Sequence, residues 1–178
     1  MKWYESKQSY RIICSLKTEV YESIIPKSIE HAILSEANWL GRGNLMSGED
    51  VGFFVEVGDI VYMDYGQAYL NEMGYQHFGL VMAISEKKAL VIPMTSNAKT
   101  YANAYDPESN PEGKKNLFPL PGIIDGLCKK SVLFLNDMKF VNTARMIEKK
   151  AHIDVKSPVF RKIQLRIMML LFQNPSVI

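Results

Sequence analysis

The chain has 178 residues, of which 47% are hydrophobic and 22% are charged, and its formal net charge is +2. This composition is typical of a soluble globular protein with a substantial core, and the length suits one domain or one domain with an extension. The charge is too small to indicate a nucleic-acid partner by itself, although it leaves room for a local basic surface. The N-terminus lacks the apolar run of a signal peptide, and the late apolar run Ile167–Phe172 is too short to span a bilayer. We therefore expect a cytoplasmic protein without a membrane partner.

The two cysteines, Cys14 and Cys128, lie in apolar sequence surroundings far apart in the chain. Such surroundings favour two buried, reduced thiols over a disulfide or a catalytic thiol. No spacing of cysteines and histidines is typical of zinc, so we expect neither a metal nor a cofactor.

The first fifty residues are interpreted as a helical extension. Residues 1–18 mix aromatic and charged side chains without a clean period, which is compatible with a short strand or a helical turn. From Pro26 to Gly41, apolar residues at helical spacing predict a helix with one apolar face. The residues of this face are Ile29, Ala32, Ile33, Ala37 and Leu40. His31 falls off the face and is expected on the surface, and the glycine-rich segment 41–50 is expected to be a flexible connection.

Three apolar runs rich in β-branched and aromatic residues predict the central strands: Asp59–Tyr65, Phe78–Ile84 and Ala89–Met94. A long, glycine-interrupted segment, residues 66–76, separates the first two runs. The short charged segment 85–88 separates the last two and suits a hairpin loop.

Two polar side chains lie at the ends of these runs. His77 immediately precedes the second run, and Thr95 immediately follows the third. Strand ends positioned by a rigid sheet are where function concentrates, so both residues are candidates for a site.

Residues 96–113 form a turn-rich segment that is long for a compact domain, which indicates a functional lid or a mobile segment. It contains Tyr101 and is followed by Lys114 and Lys115. Aromatic and basic side chains together can stack bases and contact phosphates. A solvated loop whose tyrosines cover the edge of the core is the alternative.

The last third of the chain predicts further short strands and a helix. The strands are Leu117–Leu120, at an edge of the sheet, Ser131–Leu135 continued by Asn136–Val141, and one strand within Ala144–Ile153. Ser157 and Pro158 are typical of a helix start, and the helix Val159–Phe172 follows. Its second half is apolar nearly all round, which favours burial in both the core and a dimer interface.

The whole pattern predicts a mainly β protein with added helices. Five to seven short strands separated by turns favour a small, curled, mostly antiparallel sheet or barrel. We divide the chain into a helical N-terminal extension, residues 1–50, and a barrel domain, residues 51–178.

Several of these segments, taken in order, resemble the PemK/MazF type of toxin ribonuclease over about residues 56–172. They are GDIVYMDYG, the loop containing Glu72 and Gly74, HFGLVMAI, ALVIPMTSN and SVLFLNDMKFVN. The resemblance implies a small SH3-like barrel of the PemK/MazF/CcdB-like kind that usually pairs as a homodimer. It also implies metal-independent cleavage of single-stranded RNA, and an antitoxin protein that covers the RNA groove.

The resemblance also suggests roles for individual residues. Thr95 matches the threonine after the third strand, and Glu72 matches the glutamate of the loop. His77 stands where the family has its catalytic arginine, so that His77-Phe78 replaces Arg-Pro. The family's later Asp-Gln-x-Arg segment becomes Asn136-Asp137-Met138-Lys139, with the acidic residue displaced by one position.

From these matches we hypothesise that His77 is the base or acid and that Thr95 hydrogen-bonds the scissile phosphate. Cationic and carboxylate side chains would complete the substrate contacts at Lys139, Lys99, Glu72 and Asp137. The candidate platforms for stacking unpaired bases are Tyr69, Tyr75 and Tyr101.

Other interpretations of the same residues stay open. His77 suits a capping or packing role, and the Thr95 hydroxyl suits a bond to its own backbone. The chain is then a catalytically inactive RNA- or protein-binding module, or a gyrase-poison type of toxin. The helix Pro26–Gly41 is also a candidate for a built-in inhibitor or a docking helix.

Overall fold

The computed structural model describes residues 3–23 and 26–172. Four α-helices are present in this part of the chain: α1 Trp3–Ser23, α2 Pro26–Arg42, α3 Ala98–Ala102 and α4 Pro158–Phe172. Seven strands accompany them: β1 Asp59–Asp64, β2 Gln76–Ser85, β3 Lys88–Thr95, β4 Leu117–Pro119, β5 Val132–Phe134, β6 Lys139–Asn142 and β7 Met146–His152. None of the four helices is long and apolar enough to cross a membrane.

The strands form one antiparallel sheet in the order β4-β5-β3-β2-β1-β7, and β6 also pairs with β3. The first half of β3 pairs with β6, and its last two residues pair with β5. Because one strand serves both partners, the sheet curls at this point. The mainly β fold with added helices is confirmed.

The three central strands were predictable because their signals are local. β1, β2 and β3 lie within two residues of the predicted runs, and the charged segment between β2 and β3 forms the tight turn. Glu86 takes the positive φ of 52° that this turn requires. β4 is an edge strand, as Pro119 predicts.

The predicted continuation of β5 through Asn136–Val141 is wrong. The chain leaves β5 in a short 3-10 helix, Leu135–Asp137, and β6 starts only at Lys139. Leu135 is fully buried at this turn, so the bend is fixed by packing rather than by turn residues.

Two apolar clusters lie on opposite faces of the β1–β2–β3 sheet, because side chains alternate along each strand. The first cluster contains Leu80 and Ile92 and is covered by Phe160 and Ile163 of α4. The second contains residues of β1, β2, β3, β6 and β7 and continues under the β1–β2 loop: Val61, Met63, Tyr65, Val81, Ala89, Val91, Val141 and Met146.

The N-terminal segment differs from its prediction in two respects. α1 is a helix of 21 residues rather than a short strand or a single turn. In α2 the buried residues are Ala32 and Ser35, whereas Ile33 and Leu40 of the predicted apolar face are 54% and 71% exposed. The helix docks through polar contacts, which a hydrophobic period does not reveal.

These polar contacts fix α2 to the ends of β1 and β2. The Ser35 hydroxyl donates to Asp64 Oδ1 over 2.8 Å, and both residues are buried. The Gln76 amide, oriented to satisfy both of its ends, donates to the His31 carbonyl and accepts from the Ser35 N–H. At the end of the helix, Arg42 Nη1 donates to the Met146 carbonyl over 2.8 Å.

Replacing Ser35 by alanine is expected to lower the free energy of unfolding by about 1–3 kcal/mol, because the Asp64 carboxylate loses a buried donor. Urea denaturation followed by circular dichroism measures this difference. Ser85→Ala, at the exposed end of β2, is the matched control and should change it by less than about 0.5 kcal/mol. Equal midpoints for the two variants would contradict this account of the docking.

The expected burial of the two cysteines is wrong, whereas the expected burial of α4 against a second copy stays a prediction. Cys14 and Cys128 are free, as expected, but both are exposed rather than buried. In α4, Ser157 caps the helix through Phe160 N–H, as predicted. The second half of α4 is not buried within one chain, since large apolar side chains there are about half exposed: Leu165, Met168, Met169, Leu171 and Phe172.

Candidate functional site

His77 and Thr95 lie next to each other at the ends of two paired strands. β2 pairs with β3 through Phe78 and Met94, so His77 and Thr95 occupy the next position outward. His77 is the second residue of β2, and Thr95 is the last residue of β3. By strand alternation both side chains lie on the face of the second apolar cluster, which contains Val81 and Val91.

The protonation pattern of His77 is set by its neighbours. Its Nδ1 lies 2.8 Å from the Gly74 carbonyl oxygen. A carbonyl only accepts, so Nδ1 carries the hydrogen and donates it, which leaves Nε2 unprotonated in the neutral ring. Burial lowers the pKa of His77, the Gly74 hydrogen bond partly opposes this, and His31 lowers the pKa further. The ring is therefore neutral at pH 7, with Nε2 as a base.

The Thr95 hydroxyl accepts one local hydrogen bond, and within the described residues 3–23 and 26–172 its hydrogen has no acceptor. Its Oγ1 accepts from the Asn97 N–H over 3.2 Å. Asn97 in turn caps α3 by accepting from the Thr100 N–H. The bond to the local backbone that the alternative interpretation of Thr95 proposed is therefore present. In this bond the hydroxyl oxygen only accepts. The hydroxyl hydrogen stays available to a ligand oxygen.

The loop between β1 and β2, residues 66–75, covers this face of the sheet. Two backbone bonds close its base, Tyr65 N–H to the Tyr75 carbonyl and Tyr75 N–H to the Gly66 carbonyl. Its middle is held by the Met73 N–H, which donates to Asp137 Oδ2. The Met73 side chain packs against the second apolar cluster. The loop is thus closed over the sheet, while Tyr69 at its tip is 87% exposed.

Asp137, Lys139 and Tyr65 lie on the same side as the histidine. Lys139 pairs with Val91 and so lies on the face of the second cluster. Its Nζ is 3.7 Å from Asp137 Oδ1 and 5.6 Å from the centre of the Tyr65 ring. This face of the sheet therefore carries an imidazole, two hydroxyls, a cation and a carboxylate.

A cleft of about 430 Å³ opens beside the loop and contains two predicted residues, Glu72 and Asp137. Amide side chains line it as well, and the Asn116 amide donates to Asn136 Oδ1 over 2.8 Å. Amides and carboxylates supply the donors and acceptors that base edges need. The full lining is Asn71, Glu72, Met73, Thr100, Asn103, Lys114, Asn116, Leu117, Phe134, Asn136 and Asp137.

The remaining predicted residues divide into accessible and buried ones. Lys99 is exposed on α3, and Tyr75 is half-buried at the base of the loop with a positive φ of 57°. Tyr101 is half-buried, and its role as a stacking platform stays a prediction. Its hydroxyl donates to the Leu120 carbonyl over 3.1 Å, and its ring packs against Ala104 and Leu117. The ring covers the core edge, as the alternative interpretation held.

His31 was expected on the surface, and this expectation is wrong. It is half-buried, and its Nδ1 is buried without a partner among residues 3–23 and 26–172. Its position beside His77 follows from the docking of α2 on β2. No sequence signal indicated this contact, because it joins residues 46 positions apart and depends on the polar contacts that fix α2 to β1 and β2.

A second cluster of ionisable groups, away from His77, serves the fold. Asp59 is fully buried, and its Oδ1 lies 2.8 Å from both Lys149 Nζ and His152 Nδ1. Burial raises the pKa of Asp59, but these bonds and the Glu56 N–H outweigh it, and the net shift is downward. Carboxylate and imidazole ligand atoms of Glu56, Asp59 and His152 approach within 4.8 Å. Because the Lys149 ammonium already pairs with Asp59, we assign this cluster to an ion-pair network.

Comparisons with known proteins identify the fold. No protein-family model matches the sequence, and no curated protein sequence matches it. The crystal structure of MazF from Deinococcus radiodurans matches with a TM-score of 0.50 at 16% identity, over 67% of this chain and 97% of that one. A MazE-MazF structure from the same organism matches with a TM-score of 0.47 at 16% identity, over 68% and 99%. A mycobacterial endoribonuclease in complex with its cognate antitoxin gives 0.46 at 10% identity, over 66% and 95%. The chain therefore has the fold of a MazF-type toxin.

Proposed function

We propose that the chain is a toxin-like endoribonuclease that cleaves single-stranded RNA by attack of a 2′-OH on the adjacent phosphate, without a metal. The observation that carries this proposal is His77, a neutral imidazole whose Nδ1 is tied to Gly74. Its Nε2 lone pair lies on the same sheet face as the Thr95 hydroxyl. The fold shared with MazF agrees with this activity.

In the proposed reaction, His77 Nε2 accepts the proton of the 2′-OH. The 2′ oxygen forms a bond to phosphorus as the bond from phosphorus to the 5′ oxygen breaks. Thr95 donates its hydroxyl hydrogen to a non-bridging oxygen, and Lys139 offsets the charge that develops there. The leaving 5′ oxygen takes a proton from water. The products are a 2′,3′-cyclic phosphate and a free 5′-OH.

Incubation of the purified protein with a long single-stranded RNA in EDTA tests the activity. We expect cuts at a short recurrent sequence, with a 2′,3′-cyclic phosphate on one new end. The matched control is the same strand with a 2′-deoxy nucleotide at the mapped cut, which should stay intact. If the RNA binds but stays intact, the protein is an inactive binding barrel rather than an enzyme. If the RNA is neither bound nor cut, RNA is not its substrate.

The pH dependence of cleavage is the second expected result. A base works only when unprotonated, and an ordinary histidine titrates near pH 6.5. Because the pKa of His77 is lowered, the range of constant kcat/KM should extend from pH 8 down to a pH below 6.5. The value of kcat/KM should then fall by about tenfold per pH unit once the pH is below the lowered pKa. A single-turnover profile between pH 4.5 and 8 measures this. An acid limb that starts above pH 6.5 would contradict the proposed environment of His77.

We also propose that the protein is cytoplasmic, that it forms a homodimer and that an antitoxin is its partner. The exposed apolar side chains on the second half of α4, Met168 and Leu171 among them, support a second copy on this face. The division between the helical extension and the barrel near residue 50 is part of the same proposal. The mass of the protein in solution decides the oligomeric state.

A further inference from the structure

Tyr65, directly after β1, has a buried hydroxyl without a partner. The residue is only 6% exposed. Its hydroxyl finds no hydrogen-bond partner within the described ranges 3–23 and 26–172. A buried hydroxyl without a partner has lost its hydration and gained nothing, so native proteins seldom keep one without a reason. A phenylalanine would fill the same space without this penalty.

The sequence leaves room for this hydroxyl on the neighbouring strand. A Cβ at Gly79 would lie 2.2 Å from the Tyr65 hydroxyl oxygen and 2.4 Å from Val91 Cγ1. The phenol therefore reaches across β2 only because residue 79 is glycine. Gly79 follows His77 by two residues on the same face, a separation of about 6.6 Å along a strand. The hydroxyl thus lies beside the row formed by His77 and Thr95.

The surroundings of the hydroxyl suit an anionic ligand. The Lys139 ammonium lies 5.6 Å from the centre of the Tyr65 ring. Burial, with a smaller contribution from Asp137, raises the pKa of Tyr65, so the phenol stays neutral and keeps its hydrogen. The charge of Asp137 is already engaged by the Met73 N–H and by Lys139. A neutral donor and a cation are therefore both found at the Tyr65 side chain.

The β1–β2 loop lies over the apolar cluster that contains Tyr65. Met73 packs against the cluster that contains Tyr65, and one backbone bond to Asp137 holds it there. The neighbouring loop residues Tyr69 and Leu70 are 87% and 95% exposed, so few contacts hold the rest of the loop. Withdrawal of Met73 would open the hydroxyl to a ligand at the cost of few interactions.

We propose that the Tyr65 hydroxyl is a phosphate-binding group of the site. It donates to one non-bridging oxygen of the scissile phosphodiester, together with Lys139, while Thr95 donates to the other. The unpartnered donor is then satisfied only when RNA is bound. This inference rests on the proposed ribonuclease function and adds a residue that the sequence analysis did not select.

The test is Tyr65→Phe, with Tyr62→Phe as the matched control, because Tyr62 lies three residues earlier in β1 and its ring packs at a tilt against Phe78. The first probe is a single-stranded RNA with a 2′-deoxy nucleotide at the mapped cut, which binds but is not cleaved. We expect Tyr65→Phe to weaken its binding by about 10- to 100-fold, the range for a hydrogen bond to a charged group. The urea midpoint should stay the same or rise, since the variant removes only the unpartnered hydroxyl.

The second probe is an RNA with a phosphorothioate of defined stereochemistry at the scissile phosphate. Sulfur at the oxygen that Tyr65 contacts should slow the wild type and have a smaller effect on Tyr65→Phe. A purely structural tyrosine would not change this stereochemical preference. Unchanged binding and unchanged thio effects in Tyr65→Phe would overturn the inference and leave the ribonuclease standing. A wild type that neither binds nor cuts RNA would overturn the proposed function, and this inference with it.

Discussion

Replacement of His77 by alanine is expected to slow RNA cleavage by about 10²- to 10⁴-fold, the usual contribution of a general base. The reason is that no other neutral imidazole with a fixed tautomer lies on this face of the described sheet. Binding of the uncleavable 2′-deoxy strand should change little, because the phosphate contacts of Thr95 and Lys139 remain. Single-turnover cleavage and fluorescence anisotropy measure the two effects separately.

The control for this variant is His31→Ala. His31 is the other half-buried histidine and lies beside His77, but it belongs to α2. The cleavage rate of His31→Ala should stay within a few-fold of the wild-type rate. The acid limb of its pH profile should move to higher pH, because burial still lowers the pKa of His77 but the smaller contribution of His31 is gone. If His77→Ala retained full activity, the base would be another group.

Replacement of Thr95 by valine is expected to slow cleavage by about 10²- to 10³-fold, which is typical for the loss of one donor to a developing oxyanion. Valine keeps the shape of threonine, so β3 and its pairing with Val132 should persist. The loss should appear in kcat more than in KM, since the hydrogen bond strengthens as charge develops in the transition state. Steady-state kinetics on a short RNA of the mapped sequence measures both constants.

Thr95→Ser separates the contribution of the hydroxyl from that of the rest of the side chain. Serine keeps the hydroxyl that accepts from Asn97 N–H, and it should retain most of the activity. If Thr95→Val were as active as Thr95→Ser, the hydroxyl would serve only as a local backbone contact. A loss of stability in Thr95→Val without a change in kcat would support the same conclusion.

The central hairpins could be predicted because their information is local. Alternation places Leu80 and Val81 in different clusters, and the turn at Glu86 is recorded in the sequence as a short charged break. The bounds of α2 and α4 were predicted to within one residue, but α1 and the buried side of α2 were harder for a physical reason. α1 exposes Tyr10 and Ile13 and buries few apolar residues, so no hydrophobic period identifies it. The buried side of α2 depends on Gln76, which lies 41 residues beyond Ser35.

The candidate site divides in the same way. His77, Thr95 and Glu72 were selected from strand ends and from a family resemblance, and these positions do not depend on long-range packing. Tyr65 was missed because its significance depends on a missing side chain at Gly79, on another strand. For Tyr101 the sequence left two interpretations open, because a turn-rich segment gives no sign that its ring reaches the core. Roles that arise from tertiary neighbours leave no pattern in the local sequence.

The Gln76 amide has a mechanical consequence for the whole molecule. It joins the His31 carbonyl and the Ser35 N–H, two groups that a regular α-helix links to each other. Gln76, the strand residue before His77, is therefore hydrogen-bonded to both ends of one turn of α2. A ligand that shifts α2 would therefore also shift β2, the strand that carries His77. By thermodynamic reciprocity, RNA bound at His77 would then alter the affinity of that ligand by the same factor. α2 and the proposed site at His77 are thus joined through Gln76.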